Sequence, residues 1–410
     1  MSRFLFRGGK FLDPNLKELR DGVELLTEGE RIVEVSDTPI KAPGATPIEL
    51  GGRTLMPGLI DCHVHVYLSE VDIRRMHEMP LSRIALESTR LMRDILERGF
   101  TTVRDTGGAD FGVRDAVASG LVQGPRLFIA GRVLGPTGGH GDSRRRTDTS
   151  CVCCQGFDML SHIVDGVPAV LQAAREELRR GADFIKIMAS GGVASPYDPL
   201  EGIQFTRAEL MAITEEVGNW GSYVAAHAYG ANAIFRAVEC GVRTIEHGNL
   251  IDEPAAKLMA EKGAFLVPTL IAYDSMKRRA REFGMGEANL KKNERVLAAG
   301  VRSLEIARNA GVQIAYGSDL LGQLQNDQTI EFKIRSEVMK PWEIIQSATL
   351  VAAKVIRREG ELGILKEGAY ADLLVVDGDP YKDLGVFDDR GTRLAAIMKG
   401  GEFYRNRLSR

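Results

Sequence analysis

This chain has 410 residues, more than a typical single hydrophobic core accommodates, so we expect one large domain and a smaller one. Its formal net charge of −3 and the lack of an apolar run long enough to span a bilayer predict no nucleic-acid or membrane partner. The start of the chain lacks the apolar core of a secretory signal. Cys151, Cys153 and Cys154 do not form a disulfide framework, so we expect a reducing, cytoplasmic location.

Short apolar runs separated by Gly, Asp and Pro turns occur at both ends of the chain, within residues 1–54 and 362–410. Such runs are typical of small β-strands. Neither end has enough strands to bury a core by itself. We therefore expect the two ends to pair into one small flanking domain, a β-sandwich.

Residues 55–361 have a different pattern, in which buried strand candidates alternate with amphipathic helix candidates. This alternation predicts parallel βα units and an α/β fold. The eight strand candidates are, in order, LMPGLIDCHVH, FTTVRDTGG, PRLFIAGRV, DFIKIMAS, YVAAHA, TIEHGN, FLVPTLIA and VQIAYGSDLL. Eight strands with helices between them predict a closed (β/α)8 TIM barrel, whose active site lies at the C-terminal ends of the strands.

The helix candidates on either side of the fourth strand have explicit start and stop signals. Ahead of this strand, apolar residues recur at helical spacing from Val167 onward, and Gly181 follows the last of them. After the strand, Thr206 and Glu209 form a capping-box pattern that predicts the start of the next helix.

Polar side chains of metal-binding types lie at the ends of several strand candidates. They are His63 and His65 on strand 1, Lys186 on strand 4, His227 on strand 5, His247 on strand 6 and Asp319 on strand 8. Because side chains alternate along a strand, His63 and His65 point to the same face. A lone histidine in an apolar segment is usually a core residue. Six such residues at strand ends instead predict a two-metal site and a metallohydrolase.

Lys186 needs a separate explanation because an ammonium group cannot ligate a metal. Burial lowers the pKa of a lysine, and a neutral amine can react with carbon dioxide to form a carbamate with two oxygens. A carbamate could bridge two cations. The spacing of the residues alone leaves this interpretation and an ion-paired lysine equally open.

The motif PGLIDCHVH, the Lys186 strand, the two later histidine strands and GSD together resemble the binuclear branch of the amidohydrolase superfamily, over essentially the whole chain. The resemblance implies two metal sites, held by His63, His65 and Asp319 and by His227 and His247. It also implies that Lys186 is modified to N6-carboxylysine and bridges the two ions. The expected ions are zinc, although the ligands would also accept manganese or cobalt.

The same resemblance implies a mechanism and an assembly. A hydroxide shared by the two ions would attack the amide carbonyl, since metal binding lowers the pKa of water toward neutrality. Asp319 would act as the general base and then pass the proton to the leaving amine. The expected assembly is a homo-oligomer.

A narrower resemblance rests on TGGHGD, IKIMASGGVASPYDP, AHAY, VRTIEHGNLID and VPTLIAYD. Together these motifs resemble the Xaa-Pro dipeptidase and carboxypeptidase-like group related to imidazolonepropionase. The resemblance implies that His140 polarises the carbonyl or stabilises the oxyanion, and that Tyr229 contacts the free carboxylate of the substrate. The residues alone also allow His140 as a loop histidine ordered by glycines and Tyr229 as a packing aromatic.

The expected substrates are small molecules, namely dipeptides or N-acyl amino acids with a free C-terminal carboxylate, and Xaa-Pro dipeptides first among them. The loop after strand 7, around Tyr273, Asp274, Ser275 and Met276, is expected to shape the pocket for the C-terminal residue. Relatives with the same motifs cleave amides of C-terminal Phe, such as ochratoxin, or of Arg or Lys. Asp274 is the candidate partner for a basic side chain.

Other interpretations receive less support from the sequence. A deaminase generally uses one metal and lacks the bridging lysine. A cyclic amidohydrolase is a more distant alternative, and a non-catalytic scaffold usually loses ligands that this chain keeps. The cysteine cluster lacks zinc-ligand spacing and is expected to be a reduced loop. Arg144, Arg145 and Arg146 could attract an anionic substrate or form a solvated face, and His77 and His162 are expected to be surface or core residues.

Overall fold

The computed structural model describes residues 2–76, 78–144, 146–147, 160–195, 197–279, 282 and 286–408. The predictions made for His77, for Arg145 and for the cysteine cluster at 151–154 lie outside these residues.

Short strands fill the first part of the chain, as the alternation of apolar runs and turns predicts. They are β1 (Arg3–Arg7), β2 (Lys10–Phe11), β3 (Arg20–Asp21), β4 (Glu24–Glu28), β5 (Arg31–Ser36), β6 (Thr46–Glu49) and β7 (Thr54–Pro57). Four of them form one sheet in the order β5-β4-β1-β6, with β4 antiparallel and β6 parallel to β1.

Parallel strands follow through the middle of the chain. They are β8 (Leu59–Val64), β9 (Phe100–Asp105), β10 (Arg126–Ile129), β11 (Val133–Gly135), β12 (Ser161–Ile163), β13 (Ile185–Met188), β14 (Val224–Gly230), β15 (Thr244–Leu250), β16 (Phe265–Val267) and β17 (Gln313–Ile314). They form a three-stranded sheet, β10-β9-β8, and a seven-stranded sheet, β12-β11-β13-β14-β15-β16-β17. The predicted α/β fold is confirmed.

Backbone hydrogen bonds join the two parallel sheets at two places, between β8 and the residues after β17 and between β10 and the residues before β13. At one junction Cys62 N donates to Tyr316 O at 2.8 Å, and at the other Asp183 N donates to Ile129 O at 2.8 Å. Each predicted strand candidate contains a strand. LMPGLIDCHVH also includes most of β7, and PRLFIAGRV runs from β10 into β11. The run breaks at Gly131, which has a φ of +69° that side-chain-bearing residues rarely adopt.

The helices between and after these strands are α1 (Ile73–Met76), α2 (Leu81–Glu97), α3 (Phe111–Ala118), α4 (Val167–Arg179), α5 (Arg207–Asn219), α6 (Ala231–Glu239), α7 (Glu253–Lys262), α8 (Leu270–Arg279), α9 (Glu287–Asn309), α10 (Ile330–Arg335), α11 (Pro341–Ser347), α12 (Leu350–Val355) and α13 (Asp388–Gly391). Both helices expected around β13 are present, and α5 begins with the predicted capping box. None of the helices in the described ranges combines the length and hydropathy needed to cross a membrane.

The last part of the chain contains three strands, β18 (Leu373–Val376), β19 (Leu394–Lys399) and β20 (Glu402–Asn406), which pair with strands of the first part. These strands extend a six-stranded sheet in the order β20-β19-β18-β7-β2-β3. One buried cluster contains Phe6 and Leu25 from the four-stranded sheet together with Leu373 and Met398 from this one. The two ends of the chain therefore share a hydrophobic core.

The capping box of α5 gives a stability prediction. Glu209 N donates to Thr206 Oγ1 at 3.3 Å, and Thr206 N donates to Glu209 Oε2 at 2.7 Å. Thr206→Ala removes the side-chain acceptor, so we expect the free energy of unfolding to fall by about 1 kcal/mol in urea denaturation. Thr206→Ser keeps the hydroxyl and should stay close to the original protein. Equal losses in both variants would contradict this role of the cap.

Candidate active site

His63, His65 and Asp319 come together where β8 ends. The Nε2 atoms of His63 and His65 lie 3.3 and 3.1 Å from Asp319 Oδ1, and one ligand atom from each residue lies within 4.8 Å of the others. Two metal–ligand bonds of roughly 2.0–2.1 Å at a tetrahedral angle place their ligand atoms about 3.3 Å apart. The composition and the spacing of this group therefore fit a metal ion.

His227 and His247 extend this group along β14 and β15. Ring centroids lie 5.0 Å apart for His63 and His247, and 4.6 Å apart for His227 and His247. Burial lowers the pKa of both His227 and His247 well below the ordinary value, so their imidazoles are neutral, the form that ligates metals. The six predicted ligands lie within the strands or in the residues that follow them.

Each of the four imidazoles has one ring nitrogen hydrogen-bonded to a partner that is not one of the six predicted ligands. The pairs are His63 Nδ1 with Glu246 Oε2 at 2.8 Å, His65 Nδ1 with Gly107 O at 2.8 Å, His227 Nε2 with Gly191 O at 3.1 Å and His247 Nδ1 with Thr269 Oγ1 at 2.8 Å. Carbonyl and carboxylate oxygens accept only, so the first three ring nitrogens must carry the hydrogen. When such a ring is neutral, its opposite nitrogen has a free lone pair, as metal ligation requires.

Glu246 and Arg104 form a buried network that the sequence analysis missed. Arg104 donates to Glu246 Oε1 at 2.7 Å and to Cys62 O at 2.6 Å, while Glu246 accepts from His63. Burial would raise the pKa of Glu246, but the Arg104 guanidinium holds it well below its usual range. Glu246 directly precedes His247 in TIEHGN, and this position was the available signal.

Lys186 on β13 is almost completely buried, with 2% of its surface exposed. Burial lowers its pKa to about 8, so a substantial fraction is the neutral amine near neutral pH. Within the described residues its Nζ makes no hydrogen bond or ion pair. The charges of Glu246 and Asp319 act on Lys186 from beyond ion-pair distance, so a direct ion pair is not seen among those residues.

Two site residues have strained backbones. His247 has a φ of +74° and Asp319 a φ of +51°, a region that residues with side chains seldom occupy. Asp319 N donates to His63 O at 2.8 Å, which holds this conformation against β8. Burial opposes ionisation of Asp319, but the charge of His63 and hydrogen bonds from His63 and His65 keep its pKa well below the usual range. Strain of this kind is concentrated at functional sites.

His140 lies against His227, with ring centroids 4.3 Å apart and an interplanar angle of 24°. Its Nδ1 lies 2.6 Å from Ser195 Oγ, in the loop after β13. Gly192 in the same loop allows this placement, since a Cβ there would lie 2.0 Å from Cε1 of His140. The close approach explains the glycine in the SGG motif. It also places the predicted polarising histidine beside the predicted ligands.

Tyr229 and Tyr273 lie next to the imidazoles. Their hydroxyl oxygens are 2.8 Å apart, and Tyr273 Oη is 3.3 Å from Thr269 Oγ1. The Tyr229 ring stacks against His247 at 5.2 Å. Both phenols are buried, and burial raises their pKa values far enough to keep them protonated at neutral pH. They can therefore donate hydrogen bonds.

Tyr273, Asp274, Ser275 and Met276 lie in helix α8 and not in the loop expected after strand 7. The segment LIAYDSMKRR contains no glycine or proline, so nothing stops a helix there. Met276 shares a buried cluster with both tyrosines. Asp274 accepts from Arg278 at 2.7 Å, and Ser275 donates to Asp327 at 2.8 Å. Arg278 also donates to Asp327, so these residues form one polar group.

The remaining polar residues noted in the sequence lie apart from the imidazoles. Arg144 pairs with Asp142 in the loop after His140. Arg146 lies over the ring of Tyr197, 5.0 Å from its centroid. His162, on β12, has its Nδ1 3.7 Å from Glu177.

Imidazoles, a carboxylate and a buried lysine at the strand ends of a parallel α/β fold are typical of metal-dependent hydrolases. The chain belongs to the Amidohydrolase family, whose sequence profile matches residues 54–403. The resemblance seen in the sequence is thereby confirmed.

Similar proteins of known name are hydrolases. The chain is 47% identical to a prolidase whose crystal structure contains N-methylphosphonate-L-proline, with a TM-score of 0.96 and coverage of 99% and 100% of the two chains. It is 31% identical to a Xaa-Pro dipeptidase solved with methionine in its active site, with a TM-score of 0.87 and coverage of 99% and 100%. It is also 31% identical to ochratoxinase of Aspergillus niger, over 90% of this chain and 79% of that protein. Family and relatives together support hydrolysis of amide bonds.

The close approach of Gly192 to His140 gives a prediction. Gly192→Ala should push the imidazole off His227 and lower kcat/KM for an amide substrate by roughly 10²-fold, since a displacement of about 1 Å can have that effect. Gly218→Ala is the matched control, because a Cβ at Gly218 meets nothing within 4 Å.

Gly192→Ala in a His140→Ala background tests whether the loss of activity comes from the displacement of His140 or from a wider distortion of the site. Here Gly192→Ala should change kcat/KM little further, with circular dichroism confirming the fold. An equal additional loss in that background would mean that Gly192 acts through something other than His140.

Proposed function

We propose that this protein hydrolyses the amide bond of dipeptides or N-acyl amino acids that have a free C-terminal carboxylate, with Xaa-Pro dipeptides as the preferred substrates. The observation that carries the proposal is the set of four imidazoles at neighbouring strand ends, each hydrogen-bonded outward through one ring nitrogen. The prolidase with a bound proline phosphonate supports the choice of proline.

The residues fit a pair of divalent ions, for which we propose zinc. His63, His65 and Asp319 would hold one ion, and His227 and His247 the other. Lys186 would join them as N6-carboxylysine. Its burial without a direct ion pair supports this modification, because a buried ammonium is costly whereas a carbamate between two cations is compensated. Bound ions of this kind supply a water of lowered pKa and polarise a carbonyl.

Asp319 is proposed as the general base and acid. Its carboxylate stays ionised because of its imidazole neighbours, and Oδ1 lies beside both His63 and His65. The side chain can therefore accept a proton at the site and release it to the departing amine, so that one group serves both halves of the reaction.

His140 is proposed as the donor to the carbonyl oxygen. In the proposed arrangement Ser195 Oγ donates to Nδ1 at 2.6 Å in preference to Gly192 O at 3.4 Å, and the hydrogen of His140 is then on Nε2. Burial lowers the pKa of His140, so the ring is neutral and has one hydrogen to give. A donor directed at the developing oxyanion stabilises the transition state by several kcal/mol.

Tyr229 is proposed to hold the substrate carboxylate, and Tyr273 and Met276 to line the pocket of its C-terminal residue. Asp274 and Ser275 would contribute by fixing α8 through Arg278 and Asp327. The carboxylate of Asp274 is already paired with Arg278, and this pairing disfavours a substrate with C-terminal Arg or Lys. A C-terminal Phe amide is the second candidate, supported by the 31% identity to ochratoxinase.

The remaining sequence predictions belong to the same proposal. Residues 55–361 would form the closed (β/α)8 barrel, and 1–54 with 362–410 the flanking β-sandwich. The junction hydrogen bonds and the core shared by both chain ends support this division. We further propose a cytoplasmic homo-oligomer that acts on small molecules and binds neither nucleic acid nor membrane.

A substrate panel tests the proposal. Zinc-loaded protein in bicarbonate buffer would be incubated with N-acetyl amino acids and Xaa-Yaa dipeptides that differ at the C-terminal residue, and amine release would give kcat/KM for each. We expect C-terminal proline to be preferred. A preference for C-terminal Phe would favour the second candidate substrate, the C-terminal Phe amide. No turnover across the panel, with the metal bound, would contradict the carboxylate-bearing amide as substrate.

A further inference from the structure

A chain of hydrogen bonds runs from His247 to Tyr229 through two buried hydroxyl groups. His247 Nδ1 lies 2.8 Å from Thr269 Oγ1, Thr269 Oγ1 lies 3.3 Å from Tyr273 Oη, and Tyr273 Oη lies 2.8 Å from Tyr229 Oη. All four residues are at most 3% exposed. The chain therefore connects a proposed metal ligand to the proposed carboxylate contact, shielded from water.

The direction of this chain depends on the tautomer of His247. If Nε2 ligates an ion, the hydrogen is on Nδ1 and donates to Thr269. Threonine and tyrosine hydroxyls each have one hydrogen, so Thr269 then donates to Tyr273 and Tyr273 donates to Tyr229. The hydroxyl hydrogen of Tyr229 then has no acceptor among these hydrogen-bonded residues and is available to a ligand.

The opposite direction is available when Nε2 carries the hydrogen. Thr269 then donates to Nδ1 of His247, and the tyrosine hydroxyls donate toward Thr269. In that arrangement Tyr229 donates its hydroxyl hydrogen to Tyr273. The Tyr229 oxygen then presents only a lone pair to the ligand, and a lone pair repels a carboxylate. A phenol keeps its hydrogen at neutral pH, so each tyrosine has one hydrogen to place.

We propose that Thr269 and Tyr273 are positioning residues, which direct the hydroxyl hydrogen of Tyr229 toward the substrate carboxylate when His247 ligates an ion through Nε2. The proposal rests on the proposed function, in which Tyr229 holds that carboxylate. It adds that the metal site and the carboxylate site are coupled, so that a ligand bearing a carboxylate binds more tightly when the ion is present.

L-Proline is the probe, because it offers a carboxylate without a scissile bond. Calorimetry would measure its Kd for zinc-loaded and metal-free protein. Tyr273→Phe and Thr269→Val remove a link, and each should weaken L-proline binding to the loaded protein roughly tenfold, the effect of one hydrogen bond to a charged group. Thr269→Ser keeps the hydroxyl and should restore the original Kd.

Two controls separate positioning from general damage. Tyr316→Phe removes another buried tyrosine hydroxyl, one that donates to Gln328 O at 2.6 Å outside this chain, and should leave the Kd unchanged. In kinetics, Tyr273→Phe should raise KM for an Xaa-Pro dipeptide with little change in kcat. It should lower kcat/KM far less for the matching Xaa-Pro amide, which lacks the carboxylate, and Tyr316→Phe should leave kcat/KM for both substrates unchanged.

The outcomes distinguish this inference from the proposed function. If Tyr229→Phe weakens L-proline binding but Tyr273→Phe and Thr269→Val do not, the positioning role is wrong and the carboxylate contact stands. If Tyr229→Phe itself leaves the Kd unchanged, the carboxylate contact is wrong and the positioning role falls with it. Equal Kd values in loaded and metal-free protein would overturn the coupling.

Discussion

The site depends on the fact that an imidazole has two nitrogens and that the protein hydrogen-bonds one of them in each of four rings. The oxygens of Glu246, Gly107 and Gly191 accept only, so they fix three of the four tautomers by themselves. The rings are thereby oriented, and in the neutral form of each ring the opposite lone pair is available to a metal. Preorganisation of this kind raises metal affinity, because fewer side-chain rotations must be restricted on binding.

The buried pair of Arg104 and Glu246 holds this arrangement together. Glu246 on β15 accepts from Arg104 on β9 and from His63 on β8, so one carboxylate ties three strands of two sheets at the site. Removing one partner of such a pair leaves an uncompensated buried charge, with an expected loss of about 3–5 kcal/mol. Because Glu246 directly precedes His247, a shift of this pair would also move a proposed ligand whose backbone is already strained.

Much of this arrangement was predictable from the sequence, because it rests on local or periodic signals. The strand ends carry the proposed ligands, and the capping box at Thr206 is a four-residue pattern. The partnership of Arg104 with Glu246 was not predictable, because it joins residues 142 positions apart and nothing in either segment specifies the other. The break at Gly131 and the helix around Tyr273 were missed for another reason. The barrel pattern led us to expect one continuous strand through Gly131 and a loop at Tyr273, although the local residues favour a turn and a helix.

The most direct test of the account is X-ray diffraction from crystals grown with zinc and bicarbonate, with data collected at the zinc absorption edge. The account predicts two anomalous peaks roughly 3.5–4 Å apart, one near Asp319 and one near His227, with density for a carboxylate beyond Nζ of Lys186 that reaches both. A single peak, or two peaks with an unmodified Lys186 amine between them, would contradict the two-metal site on which the account depends.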